Sequence, residues 1–84
     1  MEMSEQYITG ILGYNSSNDR YGLLVCDLWE IDGFHCGETL DVWDYDSEQW
    51  IPTRMEMKWN EGWYLVDTDF CGSDLEGLKV RVRR

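Results

Sequence analysis

Between Arg20 and Arg54 the sequence contains no lysine and no arginine, and that absence excludes a good deal. The same interval holds Asp27, Glu30, Asp32, Glu38, Asp41, Asp44, Asp46 and Glu48, and the chain as a whole sets 17 acidic against 7 basic side chains for a formal net charge of −10. Such a field repels nucleic-acid phosphates and anionic lipid and favours basic partners, so direct binding to DNA, RNA or a membrane is not expected. Long apolar runs are also missing. The longest, Leu23–Cys26, is far too short to cross a bilayer, and the acidic opening "MEMSEQ" lacks the cationic and apolar pattern of a signal peptide. The expectation is a soluble, unexported, cytoplasmic protein.

Catalytic and metal-binding vocabulary is equally thin. His35 is the one histidine, and there is no nucleophile motif and no glycine-rich phosphate loop. General acid–base work would fall to Asp or Glu pairs that spacing cannot single out in an acid-rich chain, so an enzyme is not expected. Cys26, Cys36 and Cys71 are odd in number and contain no CxxC, which fits reduced thiols better than a disulfide framework. His35 and Cys36, being adjacent, would point to opposite faces of a strand and suit a tetrahedral zinc site poorly. "DTDFCGSDLEGL", residues 67–78, begins like a calcium loop but has Cys71 where an oxygen ligand belongs and Leu78 at the last ligand position. No metal and no cofactor are expected.

What the sequence does contain is enough apolar material to fold. With 84 residues, 43% hydrophobic and 14% aromatic, it reads as a single domain over 1–84 with one modest core and a loose tail at 1–6. Period-2 alternation dominates and no window carries a helical repeat, so the fold class is all-β. Tyr7–Tyr14 and Tyr21–Cys26 are strand-like runs divided by the turn cluster "NSSNDR". Asp32-Gly33 is a strong two-residue turn signal and is expected to tip a long, irregular hairpin loop. In Thr39–Trp43, Leu40 and Val42 share one face, and Asp41 and Trp43 the other. "DYDSEQ" then turns the chain into Trp50–Trp59, where the single proline, Pro52, lacks the amide hydrogen a central ladder needs and belongs near a strand start or edge.

The next break, "NEG", suits a type I turn closed by a left-handed glycine, which sets Trp59 opposite Trp63. In that register Ile51, Met55, Met57, Trp59, Trp63 and Leu65 face the core, and Arg54, Glu56, Lys58 and Tyr64 face out. A one-residue shift would mix the classes on both faces. After a possible helical turn at Asp74–Gly77, Leu78, Val80 and Val82 point inward against Lys79, Arg81 and Arg83. The simplest role for that basic alternation is cross-strand pairing and protection of a sheet edge.

Five or six short antiparallel strands, a long early loop, tight hairpins and a helical turn before the last strand resemble an SH3-like barrel. "HCGETLDV" looks like the diverging-turn segment of such barrels, "QWIPTR" like the strand opened by an exposed tryptophan, and "LEGLKVRV" like the helical turn and final strand. The peptide-binding subset has an "ALYDY"-type segment and a Pro-Ser-Asn-Tyr run that do not occur here, so that resemblance implies no proline-rich ligand. Over "RYGLL", "CGETLDV", "WIPTRMEM", "WYLV" and "LEGLKVR" the chain also resembles an uncharacterised family of short acidic Firmicutes proteins, often carried on mobile elements.

Strand alternation leaves Trp43, Tyr45, Trp50 and Tyr64 outside the core, and clustered exposed aromatics are enriched at interfaces. With Asp41, Asp44, Asp46 and Glu48 beside them, they are the expected partner-binding residues of a non-enzymatic protein-interaction module that takes a basic or mixed-charge protein segment. The alternative is an inhibitor that imitates nucleic-acid charge to occupy a DNA- or RNA-binding defence protein. Ten net charges match roughly 17 Å of duplex at about 1.7 Å per charge, comparable to the width of such a domain.

Overall fold

In a computed structural model, which describes residues 6–83, the chain is all-β. Residues 1–5 of the expected tail, and Arg84 of the basic C-terminus, lie outside the described residues. The strands are β1 (Tyr7–Asn15), β2 (Arg20–Val25), β3 (Leu28–Ile31), β4 (Thr39–Asp44), β5 (Gln49–Lys58), β6 (Gly62–Leu65) and β7 (Lys79–Arg83), with a 3-10 turn at Gly72–Leu75 before β7. They form one antiparallel sheet of 7 strands in the order β3-β2-β1-β7-β4-β5-β6, more strands than the five or six expected. β7, the basic strand, lies between β1 and β4, so it protects no edge.

The sheet curls into a half-barrel because its strands alternate. Leu12, Leu23, Leu40, Val42, Met55, Leu65 and Val80 point inward and are buried; Phe34, from the loop after β3, and Leu75, from the 3-10 turn, complete the same cluster. Burying one such side chain contributes about 1.5–3 kcal/mol. The long β5 helps the curl by changing neighbours: residues up to Arg54 pair with β4, and Met55–Lys58 pair with β6. Pro52 sits opposite Asp41, before β6 begins to pair, where a missing N–H is tolerated.

Polar contacts tie the two ends of the curled sheet together. Trp63, on β6, donates its indole N–H to the Asp19 carbonyl in the β1–β2 turn at 2.9 Å, and the Arg20 guanidinium lies 5.3 Å over its ring. The loop after β3 is hydrogen-bonded to both sides: Phe34 N–H donates to Tyr21 O at 2.8 Å and Gly37 N–H to Met55 O at 2.8 Å.

Two expectations are corrected. Trp59 does not face Trp63; the pairs are Met57 with Trp63 and Lys58 with Gly62. The turn starts one residue early, with Glu61 N–H donating to Lys58 O at 3.1 Å and Gly62 closing it at φ 86°. The register therefore slips by two residues, a full side-chain period, so Met55, Trp63 and Leu65 stay inside as expected and Arg54 and Lys58 stay outside. Two expected core residues change role: Trp59 caps the hairpin at 94% exposure, and Met57, though across from Trp63, is 46% exposed.

The second correction concerns Asp32-Gly33, where neither residue adopts positive φ. The two-residue turn is Cys26-Asp27 instead, at φ 53° and 65°, joining Val25 to Leu28 and creating β3.

Candidate partner-binding face

β4 has one face in the core, so its alternate residues Asp41 and Trp43 stand on the convex outside of the sheet. Trp43 lies directly across from Trp50 of β5, and the half-buried indoles meet edge-on with centroids 5.2 Å apart at 68°. Tyr45, just past the end of β4, adds a third ring at 6.3 Å from Trp43 and is 71% exposed.

The cations of β7 complete the arrangement. Lys79 Nζ is 5.2 Å from the Trp43 ring centroid and 5.8 Å from that of Trp50. The Arg81 guanidinium lies 4.5 Å from Trp50 and 3.7 Å from Tyr7, while its Nε–H donates to Asp41 Oδ2 at 2.8 Å. Each cation–ring contact at such a half-open site contributes about 0.5–1 kcal/mol. The result is a ladder, Tyr7–Arg81–Trp50–Lys79–Trp43–Tyr45, in which rings and cations alternate until the last two rings.

Two of the four expected acids have more specific duties than surface charge. Asp41 is the counter-ion of Arg81. Asp44 shapes the β4–β5 turn, accepting from Asp46 N–H at 3.2 Å and from the Ser47 hydroxyl at 2.7 Å. Asp46 and Glu48 are exposed on that turn beside Tyr45. Thus all the expected site residues come together except Tyr64, which stands on β6 with Lys58 Nζ 5.7 Å over its ring, near Phe70 and Cys71. Tyr7, Lys79 and Arg81 were missed as site residues. The signal for the cations was their shared parity in "KVRVR", which could be placed only by knowing that β7 sits next to β4.

Elsewhere, a shallow cavity of about 200 Å³ borders the ladder at Tyr7, Asp41, Pro52 and Arg83. A wider cleft of about 510 Å³ lies between the β1–β2 turn and the β5–β6 hairpin, lined by Arg20, His35, Met57 and Trp63. At the tip of the β1–β2 hairpin the Tyr14 hydroxyl donates to the Asp19 carboxylate, which, ahead of desolvation, holds the phenol above its usual pKa. Among the described residues no cluster of His, Cys, Asp and Glu is placed to hold a metal ion, all three cysteines are free and exposed, and no helix is long and apolar enough to cross a membrane.

A family model described as a domain of unknown function, DUF5348, matches residues 10–82, which takes in β2 to β6 whole and the aromatic ladder except Tyr7, leaving out the first three residues of β1 and the last of β7. The chain belongs to the DUF5348 family. A crystal structure of a structural-genomics protein from Ruminococcus gnavus is similar at 37% identity with a TM-score of 0.73, covering 89% of this chain and 100% of that one. No curated protein matches.

Proposed function

We propose that this DUF5348 chain is a non-enzymatic interaction module that docks a mixed-charge protein segment on the outer face of β7, β4 and β5. The observation that carries the reading is the Trp43–Trp50–Tyr45 cluster. Three adjoining aromatic side chains outside a small core, one of them 71% exposed, supply contact area at low entropic cost. The charges around them are sorted: Lys79 and Arg81 within the cluster, Asp46 and Glu48 at its rim. A segment carrying both signs fits that order better than a purely basic one. A barrel of SH3-like type goes with this reading, because the 3-10 turn directly precedes the last strand. So does a cytoplasmic setting, because three exposed thiols suit a reducing compartment.

The imitation of nucleic-acid charge is less well supported. Asp41, Asp44 and Glu38 already hold internal partners, Glu38 accepting from His35 N–H at 2.6 Å, which thins the carboxylates left to face a phosphate-gripping surface.

The test is affinity capture from a bacterial lysate with the parent chain and with Tyr45→Ala and Trp50→Ala. Loss of the same captured protein in both variants supports the docking face; undiminished capture by both removes it.

A further inference from the structure

The ladder on β7, β4 and β5 does not end at β7. Lys79 pairs with Ile11 of β1, Ile11 with Leu24 of β2, and Leu24 with Trp29 of β3. Ile11 is 49% exposed and Trp29 40%, both high for large apolar side chains on strands. Two outward glycines keep the path shallow between them. A Cβ on Gly22 would meet the Ile31 carbonyl oxygen at 2.3 Å and the Trp29 ring at 2.9 Å, and one on Gly13 would meet Leu24 Cδ1 at 2.6 Å, so the β3 backbone, the indole and the leucine close directly over the two glycines. Trp29, Leu24, Ile11, Lys79, Trp43 and Trp50 thus form one transverse row on the outside of the sheet, apolar at both ends and cationic in the middle.

We infer that this row is a single track for a mixed-charge protein segment, one carboxylate of which meets Lys79 while apolar side chains on either side of it settle on Trp29–Ile11 and on Trp43–Trp50. The inference rests on the docking face proposed above and adds the partner's chemistry and its spacing. Charge complementarity selects the occupant. A basic group at the centre would meet Lys79 and Arg81, and a second copy apposed face to face would set the same cations against themselves. Strands lie about 4.8 Å apart, so the backbone at Trp29 is roughly 14 Å and that at Trp50 roughly 10 Å from the backbone at Lys79 across the sheet. At about 3.3 Å per residue an extended segment would place its anchors about four residues to one side of the acid and about three to the other.

A random peptide library displayed on phage, selected on the intact chain and in parallel on Lys79→Glu and Trp29→Ala, tests this. The inference expects enriched peptides with Asp or Glu between two apolar residues at about that spacing. Lys79→Glu should weaken them about tenfold and, in its own selection, enrich Lys or Arg at the centre. Trp29→Ala should abolish the preference for the farther anchor only. Lys79→Met, which keeps the stem, separates loss of charge from loss of packing and should weaken binding without reversing the preference.

Enrichment of basic centres on the parent, no enrichment, or indifference to both Lys79→Glu and Trp29→Ala would overturn the inference. If binding then still depends on Tyr45 and Trp50, the docking face stands and only the extended track falls. A Lys79-dependent dimer in sedimentation, without peptide selection, would overturn it in favour of a second copy.

Discussion

Trp63 and Trp50 belong to strands that touch, yet the two indoles do opposite work. Trp63 faces the concave side, is 7% exposed, and spends its only polar atom on the Asp19 carbonyl at 2.9 Å. Trp50 faces the convex side, half-buried, with Arg81 at 4.5 Å and Lys79 at 5.8 Å from its ring. Inside, aromatic area holds the curled sheet shut. Outside, it is kept half-open by cationic side chains that cover the rings without sealing them. Stability and recognition are therefore divided between two faces of one sheet, and substitutions should sort accordingly.

The strongest way to break that division is from within. Leu65→Ala, at a site with no solvent exposure and packed in the central cluster, should cost about 3 kcal/mol, read as a shift in the urea midpoint with little change in slope. Trp63→Phe keeps most of the ring but leaves the Asp19 carbonyl without its donor, and should cost about 1–2 kcal/mol by the same measurement.

A gentler probe of the inner face is pH. Burial, and secondarily the nearby Glu76 charge, raise the Tyr21 phenol above its ordinary pKa of 10.0. Its folded pKa thus exceeds the unfolded one, so its contribution is intact below about 10 and is lost as pH climbs through the folded value. Urea midpoints should fall on raising the pH past about 10, and the part due to this group should vanish in Tyr21→Phe. The smallest effect is expected at the hairpin tip. Trp59→Ala, at 94% exposure, should leave stability within about 0.5 kcal/mol by thermal melting.

The division of faces was legible in the sequence to a useful degree, because period-2 alternation needs no knowledge of partners. Leu40 and Val42 against Asp41 and Trp43, and Val80 and Val82 against Lys79 and Arg81, sort as expected. Absolute register was not legible. A type I turn closed by Gly62 can begin at Lys58 or Trp59 with the same residues facing inward, and only the closed sheet, which needs Trp63 within reach of Asp19, separates the two.

β3 was missed for a different reason. Its turn uses Cys26 and Asp27 at positive φ, where Asp32-Gly33 carried the stronger local signal. With β3 went Trp29, and with it any view of the row across the sheet. The site itself was half visible: its rings stand on β4 and β5, adjacent in sequence, but Lys79 and Arg81 arrive from the C-terminus through a long-range pairing of Asp41 with Arg81.

The most direct trial of the two-face account sets Trp63→Phe beside Tyr45→Ala, measuring melting temperature and capture of the same partner for both. The account predicts that Tyr45→Ala melts within about 2 °C of the parent and loses the partner, while Trp63→Phe melts about 5 °C or more lower and, well below its melting point, still captures it. Capture retained by Tyr45→Ala and lost by a folded Trp63→Phe would contradict it.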